Sequence, residues 1–402
     1  MTISTTSQYL KPGVCTSSNR PANPFDGQVI YMTDVDQTAV WDGETWVVLA
    51  PIASGRNVVI NGAMQVAQRG TSVASITTGG YHTADRWYSE PITIGTWTQS
   101  VENDAPTGSG FRKSLKMLCT TNDASPAAGD YFYVAQQRFE GQNLQQFLKG
   151  TSSAKQVTLS FWVKSNVTGT YIVEMYDGDN SRAVSASYSV SASATWEKKT
   201  ITFPADTTGA YDNDNAASLY LNFWGGAGST YSSGTLATTW VSPTTANRAV
   251  GQTNLAAATN NYWQITGVQL EAGAVATPFE FEEYGETLAK CQRYYFRQTA
   301  DATAVYSHFG IGRADGTTSG IGQTVMPVVM RVTPTAIESS NIAITDGAAV
   351  YAITSSSIAT NQCNNYFIAY NFGMASGGTQ FRVYYIVSNN NSAGFLAFSA
   401  EL

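Results

Sequence analysis

Histidine and cysteine are scarce in this chain. Two histidines, His82 and His308, stand far apart, and four cysteines, Cys15, Cys119, Cys291 and Cys363, show no Cys-x-x-Cys spacing. This excludes a zinc centre on paired Cys/His ligands and a dense disulfide framework, and the cysteines read as reduced core residues. Charge is sparse as well. Asp, Glu, Lys and Arg make up 13% of 402 residues, and 22 basic against 29 acidic side chains leave a net charge of -7, the wrong sign for tracking a phosphate backbone or an anionic membrane. Nucleic acid is therefore not an expected partner. Apolar stretches such as Val47 to Ala53 fall far short of a membrane span, so membrane insertion is not expected either. The opening Met1-Thr-Ile-Ser-Thr-Thr-Ser7 lacks the basic and apolar regions of a secretory signal, which predicts synthesis in a cytoplasm.

What is abundant points to β-structure. The chain carries 35 Gly, 22 Tyr, 17 Phe and 9 Trp, a mixture suited to many short strands and tight turns. At roughly 150 residues per domain the length predicts two or three domains. Residues 1–54 contain strand signals at Gln28–Thr33, Ala39–Trp41 and Thr45–Leu49 with a tight turn at Asp42-Gly43. Three such strands make too small a core, and Tyr31, Trp41, Trp46 and Ile30 need cover; without disulfides or metal, association with other copies is the expected solution. Residues 55–284 read as a two-sheet jelly-roll sandwich. Val157, Leu159, Phe161 and Val163 alternate on one face, as do Leu219, Leu221 and Phe223, while a phase change between Ile265 and Val268 predicts a β-bulge at Gly267. Helices are expected at Gly141–Leu148 and from Glu286 to about Tyr294, the second within a helical linker at 285–300. Residues 301–402 read as a smaller C-terminal β-sandwich tip ending in a strand from Phe395. The whole is an all-β chain with one or two short helices.

Three groups of segments resemble bacteriophage tail fibre and tail spike proteins. The first is Arg20-Pro-Ala-Asn-Pro-Phe-Asp-Gly-Gln-Val-Ile-Tyr31 with Val40-Trp-Asp-Gly-Glu-Thr-Trp46. The second is Asn57-Val-Val-Ile-Asn-Gly-Ala-Met-Gln-Val-Ala-Gln-Arg-Gly70, Ala84-Asp-Arg-Trp87, Ser160-Phe-Trp-Val-Lys164 and Ile265 to Phe279, similar to the carbohydrate-binding-module-like jelly roll of phage appendages. The third is Tyr284-Gly-Glu-Thr-Leu-Ala-Lys-Cys-Gln-Arg-Tyr-Tyr295 with the terminal Phe398-Ser-Ala-Glu-Leu402. The resemblance implies a homotrimeric virion appendage. Its first 54 residues would attach to other virion proteins through Tyr31, Trp41 and Trp46, and its outer units would contact host surface polysaccharide. The same fold could serve a purely structural head decoration, collar or tail adaptor, or a polysaccharide depolymerase.

No catalytic constellation is found, and the chain reads as non-enzymatic. Gly310-Ile-Gly312 and Gly320-Ile-Gly322 lack the remaining spacing of a nucleotide loop and read as turns. No Gly-x-Ser-x-Gly or His-Glu-x-x-His string exists, and His82 and His308 read as ordinary loop residues. A carboxylate pair needs no sequence spacing, but no solenoid repeat of the depolymerase type is present. Asp177-Gly-Asp179 and Asp212-Asn-Asp214 offer oxygens at alternating positions, as a structural calcium requires, against plain Asx-rich turns; no other cofactor is expected. Glycan recognition needs aromatic platforms with Asn, Asp or Gln beside them. The expected positions are Trp224, Tyr231 and Trp240 in the central unit and Asn364, Tyr366, Asn389 and Asn391 in the tip.

Overall fold

In the computed structural model, which describes residues 12–35, 37–49, 55–303 and 305–402, the first unit is a four-stranded sheet. β1 (Gly13–Cys15), β2 (Val29–Met32), β3 (Gln37–Trp41) and β4 (Trp46–Val48) lie side by side in that order. β1 runs parallel to β2 and was not signalled by the sequence pattern. The β3–β4 turn follows from Asp42, whose Oδ1 accepts the backbone N–H groups of Glu44 and Thr45, and from Gly43 at φ +106°, a conformation that suits glycine. Among the described residues only Ile30, Met32 and Ala39 form its buried core. Ile30 is thus covered within the unit, whereas Tyr31, Trp41 and Trp46 stay half-buried, with Trp41 and Trp46 edge to face at 5.6 Å.

The central unit is a jelly-roll sandwich of two six-stranded sheets. Its strands are β5 (Ser72–Ile76), β6 (Gly80–Tyr81), β7 (Tyr88–Ile92), β8 (Thr96–Glu102), β9 (Ser114–Thr121), β10 (Tyr131–Glu140), β11 (Val157–Ser165), β12 (Gly169–Asp177), β13 (Arg182–Val190), β14 (Glu197–Phe203), β15 (Ala217–Ala227) and β16 (Tyr262–Ala272). One sheet has the order β13-β12-β15-β10-β7-β6, the other β14-β11-β16-β9-β8-β5. The alternating apolar sets meet between the sheets, where Trp87, Trp97, Phe161, Phe223, Leu159 and Trp263 are buried. The bulge at Gly267 is present. Ser160 pairs with Gln269 and Trp162 with Thr266, so Gly267 and Val268 together oppose Phe161, with Gly267 at φ +62°. The expected helix at Gly141–Leu148 is instead two 3-10 turns, Gly141–Asn143 and Gln145–Phe147, ended by Leu148 at φ 51°. Leu144 and Phe147 are buried as expected, but Leu148 is exposed, because a left-handed residue turns its side chain off the apolar face.

The helix α2 spans Tyr284–Gln292, after a single short turn of helix α1 at Ser229–Ser232. The segment expected as a helical linker then becomes β17 (Tyr295–Thr299). β17 pairs with the C-terminal strand β25 (Phe395–Ser399), which also pairs with β20 (Ala336–Ser340) in a three-stranded sheet. The rest of the tip departs from the expected sandwich. β18 (His308–Ala314), β19 (Ser319–Val325), β21 (Ile342–Thr345), β22 (Val350–Ile358), β23 (Phe367–Met374) and β24 (Val383–Ser388) close into a barrel in the order β18-β19-β23-β22-β21-β24. The glycines read as turns are the reason. Gly312, Gly320 and Gly322 lie mid-strand, where a Cβ would stand 3.2, 2.4 and 2.5 Å from the rings of Phe372, Phe372 and Tyr370. Their missing side chains let those rings fill a barrel of only six strands. β19 stops at Val325, two residues before Pro327, and Asn341 at φ 48° separates β20 from β21 where the chain passes from the sheet to the barrel. No helix among the described residues is long and apolar enough to cross a membrane.

Candidate functional site

On β15 the inward residues Leu219, Leu221 and Phe223 alternate with Ser218, Tyr220, Asn222 and Trp224, which therefore project from the outer side of the sheet. The same period on β12 turns Glu174 and Tyr176 outward. On β10 a register shift between Tyr133 and Ala135 keeps Val134 and Ala135 in the core and returns Gln136 and Arg138 to the outer side. Register then assembles rows across the sheet. Glu174 pairs with Asn222, Asn222 with Gln136 and Gln136 with Tyr88; beside them Tyr176 pairs with Tyr220 and Tyr220 with Arg138. The long segment between β15 and β16 folds over one side and contributes Pro243, Thr245 and Arg248. The result is a cleft of about 400 Å³, walled also by Glu90, Tyr131 and Tyr133.

Its floor is a continuous hydrogen-bonded chain. Arg138 Nε donates to Gln136 Oε1 at 2.7 Å, Gln136 Nε2 to Asn222 Oδ1 at 2.7 Å, and Asn222 Nδ2 to Glu174 Oε2 at 2.9 Å. Arg248 closes the far end, donating to both Glu174 oxygens at 2.6 and 2.7 Å and to the Tyr133 hydroxyl at 2.8 Å. A buried polar network whose members satisfy one another is rigid and holds its outward lone pairs and N–H groups in fixed directions. Around it stand rings. Arg138 lies over Tyr88 at 4.4 Å and near Tyr220 at 5.5 Å, Tyr176 meets Tyr220 at 5.9 Å, and Arg248 sits 5.4 Å from Tyr176. Burial pushes the phenols of Tyr131 and Tyr133 well above their ordinary range, and nearby carboxylates push the same way. Both stay neutral donors and acceptors. Such a surface can stack a sugar ring and read its hydroxyls.

The expected aromatic positions fall around this cleft unequally. Trp224 does not line it but is fully buried against Tyr133, 5.5 Å from Arg248, with no hydrogen-bond partner for its indole nitrogen. Tyr231 anchors the covering segment against Trp224 and Tyr131 at 5.6 and 5.1 Å. Trp240 lies elsewhere, donating to the Pro204 carbonyl beside Lys149. In the tip, Asn364 Oδ1 accepts from the N–H groups of Tyr366 and Phe367, and Asn391 Oδ1 from that of Ala393. These amides close turns, the N–H of Asn389 bonds Asn341, and Tyr366 is exposed at one barrel end. The residues that do assemble, Tyr88, Gln136, Arg138, Glu174, Tyr176, Tyr220, Asn222 and Arg248, were missed. The available signal was the polar and aromatic set at the outward positions of β15.

The Asp residues expected to hold calcium have partners within the chain. The Lys149 ammonium lies 2.5 Å from Asp177 Oδ2 and 3.1 Å from Asp206 Oδ2, and donates to the carbonyls of Thr208 and Gly209. A cation of the chain itself neutralises Asp177. Asp179 accepts from the N–H of Asp212 and Asp214 from that of Ala216, and among the described residues no three His, Cys, Asp or Glu side chains are placed to hold a metal ion. All four cysteines are free, Cys119 and Cys291 being buried. Burial lowers His82 below the usual histidine range, leaving it neutral, and His308 packs at a tilt against Tyr385 with ring centres 4.8 Å apart.

No family model and no curated protein matches the chain. Solved structures do overlap it loosely. The tailspike protein 4 enzymatically active domain of bacteriophage CBA120 has a TM-score of 0.29 and 16% identity over 55% of this chain and 22% of its own length. The carbohydrate-binding module TmCBM61, in complex with β-1,4-galactotriose, has 0.28 and 9% over 54% of this chain and 99% of its own. The family 11 carbohydrate-binding module of Clostridium thermocellum, in complex with a β-1,3-1,4-mixed-linked tetrasaccharide, has 0.27 and 10% over 52% and 98%. Overlaps this loose leave function to be argued from the cleft itself.

Proposed function

We propose that the chain is a non-enzymatic bacteriophage virion appendage of the tail fibre or tail spike type, whose jelly roll binds a host surface polysaccharide in the cleft on β12, β15, β10 and β7. The carrying observation is the saturated floor from Arg138 to Arg248 flanked by Tyr88, Tyr176 and Tyr220. The floor carboxylate favours holding a glycan over cutting one. Glu174 is fully buried, with both oxygens engaged by Arg248 and one also by Asn222, which leaves it unsuited to donate a proton to a glycosidic oxygen. The virion assignment rests on the resembling segments, and the trimer on a first unit whose three-residue buried core calls for further cover. Three shallow clefts on one particle would act together through avidity.

The test is binding of labelled full-length protein to susceptible and resistant host cells, with free envelope polysaccharide as competitor and release of reducing ends followed in parallel. Selective, competable binding that Asn222→Ala abolishes, without reducing-end release, is the expected result. Binding unaffected by Asn222→Ala would overturn the cleft, reducing-end release would overturn the non-enzymatic assignment, and a monomeric mass would overturn the trimer.

A further inference from the structure

The segments that resemble phage proteins are scattered over more than three hundred residues, yet several of them meet at one buried interface. Arg86, fully buried, is ion-paired with Glu401 and lies over the Tyr294 ring at 3.5 Å. Arg69 is 3.3 Å from the other Glu401 oxygen and lies over Tyr295 at 3.5 Å. Gln68 joins Asp85 to the tip, donating to Asp85 Oδ2 and to the Tyr295 carbonyl and accepting from the Arg297 N–H. Arg331 gathers the carbonyls of Ala400, Glu401 and Asn215 at 2.9, 3.0 and 3.0 Å. Glu140, at the end of β10, takes Arg293 through both oxygens at 2.7 Å and the Tyr294 hydroxyl. Charges removed from water this completely depend on their partners, because losing one leaves the others unpaired in a low-dielectric interior.

This interface runs into the cleft by two routes. The Leu402 oxygen accepts from Arg138 Nη1 at 2.7 Å and from the Tyr81 hydroxyl at 3.2 Å, and Tyr81 meets Tyr88 edge to face at 5.2 Å. Arg86, held by Glu401, donates to the Arg138 carbonyl at 2.7 Å. Arg138 is thus fixed by cleft residues on one side, through Gln136, and by the last residues of the tip on the other.

We propose that the end of the tip is a working part of the cleft. Glu401 is a positioning residue that holds the chain at Leu402 against Arg138, so that docking of the tip and occupancy of the cleft strengthen each other. The inference rests on the glycan-binding function proposed for that cleft. Reciprocity follows from linkage: whatever stabilises Arg138 in place for a ligand stabilises the docked tip by the same factor.

Full-length protein and its Glu401→Gln variant would be compared in three ways. These are hydrogen exchange of the Phe398 and Ala400 amides, the NMR signal of the Arg138 Nε–H group, and affinity for an array of immobilised neutral and uronic-acid-containing bacterial polysaccharides. The expected result is exchange at least tenfold faster in the last strand, a displaced Arg138 signal and affinity about three- to tenfold lower, while Phe381→Ser, on a side chain 68% exposed in the tip, changes none of these. Faster exchange with an unmoved Arg138 signal and unchanged affinity would overturn the coupling. Should Glu401→Gln fail to fold, Arg69→Gln keeps the Arg86 pair and should give the same three changes at smaller size; none of them would overturn the proposal. If no polysaccharide binds even the parent protein, the glycan function fails, and the Arg138 signal still decides whether the tip positions that side chain.

Discussion

Three residues apart on β12, Glu174 and Asp177 face opposite sides of the same sheet, and each holds a cation supplied by a distant part of the chain. Asp177 holds Lys149 in a closed cage completed by Asp206 and two carbonyls, with Tyr211 and Trp240 about 5 Å from the ammonium. Glu174 holds Arg248 beside about 400 Å³ of open cleft rimmed by tyrosines. Both pairs are buried on the carboxylate side, and their consequences differ. Lys149 has its donors consumed within the cage, so it fixes the fold and offers nothing outward. Arg248 and Glu174 hold a surface in place that faces solvent. A buried ion pair with rings beside it therefore does not by itself mark a site; the open volume next to it does.

Several measurements can break this comparison, beginning with the largest expected effect. Lys149→Met leaves Asp177 and Asp206 buried without their shared ammonium and should cost about 3–5 kcal/mol of stability, seen as a lower midpoint in denaturant melts. A loss below about 1 kcal/mol would show that the cage is not structural. Asp85→Asn should change the pH profile of stability. Burial raises Asp85 to about 6, against hydrogen bonds from Gln68, while 3.8 describes the unfolded chain. The folded protein therefore retains a proton that the unfolded chain has lost, and this contribution, on the order of 3 kcal/mol, is full below pH 3.8 and fades as pH rises through 6. The variant should lose that slope between pH 4 and 7.

Asp206 carries the opposite sign. Burial would raise it, but hydrogen bonds from Arg182, Thr208 and Lys149 hold it below the ordinary range. Its contribution is present at neutral pH and disappears as pH falls through the depressed value, below 3.8. Tyr220→Ala should weaken polysaccharide binding by about 0.5–1.5 kcal/mol, roughly two- to twelvefold, with little change in the melting temperature; a large stability loss would make Tyr220 a packing residue instead. Smallest of all, a calcium chelator should leave the melting temperature unchanged, because Lys149 already neutralises Asp177. A shift of several degrees would restore the metal.

The strands of the jelly roll were legible because alternation is a local property. Leu219, Leu221 and Phe223 show which side of β15 faces the core, and the phase change around Gly267 shows the bulge. The cleft was not legible from single residues. Tryptophans drew attention as exposed platforms, but Trp224 is core, since so large an apolar surface is most often buried. The tyrosines and amides at outward positions line the cleft, and nothing in one strand shows that Asn222 will lie between Gln136 and Glu174. The tip was misread for a related reason. Glycine pairs signal turns in isolation, and only the rings of Tyr370 and Phe372 packed against them show that they make room inside a barrel.

By itself the sequence determined an all-β chain, the inward residues of its main strands, the free cysteines and a first unit with too little apolar surface to enclose much of a core. Those follow from composition and from the two-residue period of a strand, which needs no partner to be read. Tertiary structure alone decided the closing of the barrel, the Lys149 cage, the row from Glu174 to Tyr88 and the meeting of Glu401 with Arg69 and Arg86. Each depends on register and packing between segments far apart in the chain, and side chains on separate strands become neighbours only when the sheets have formed.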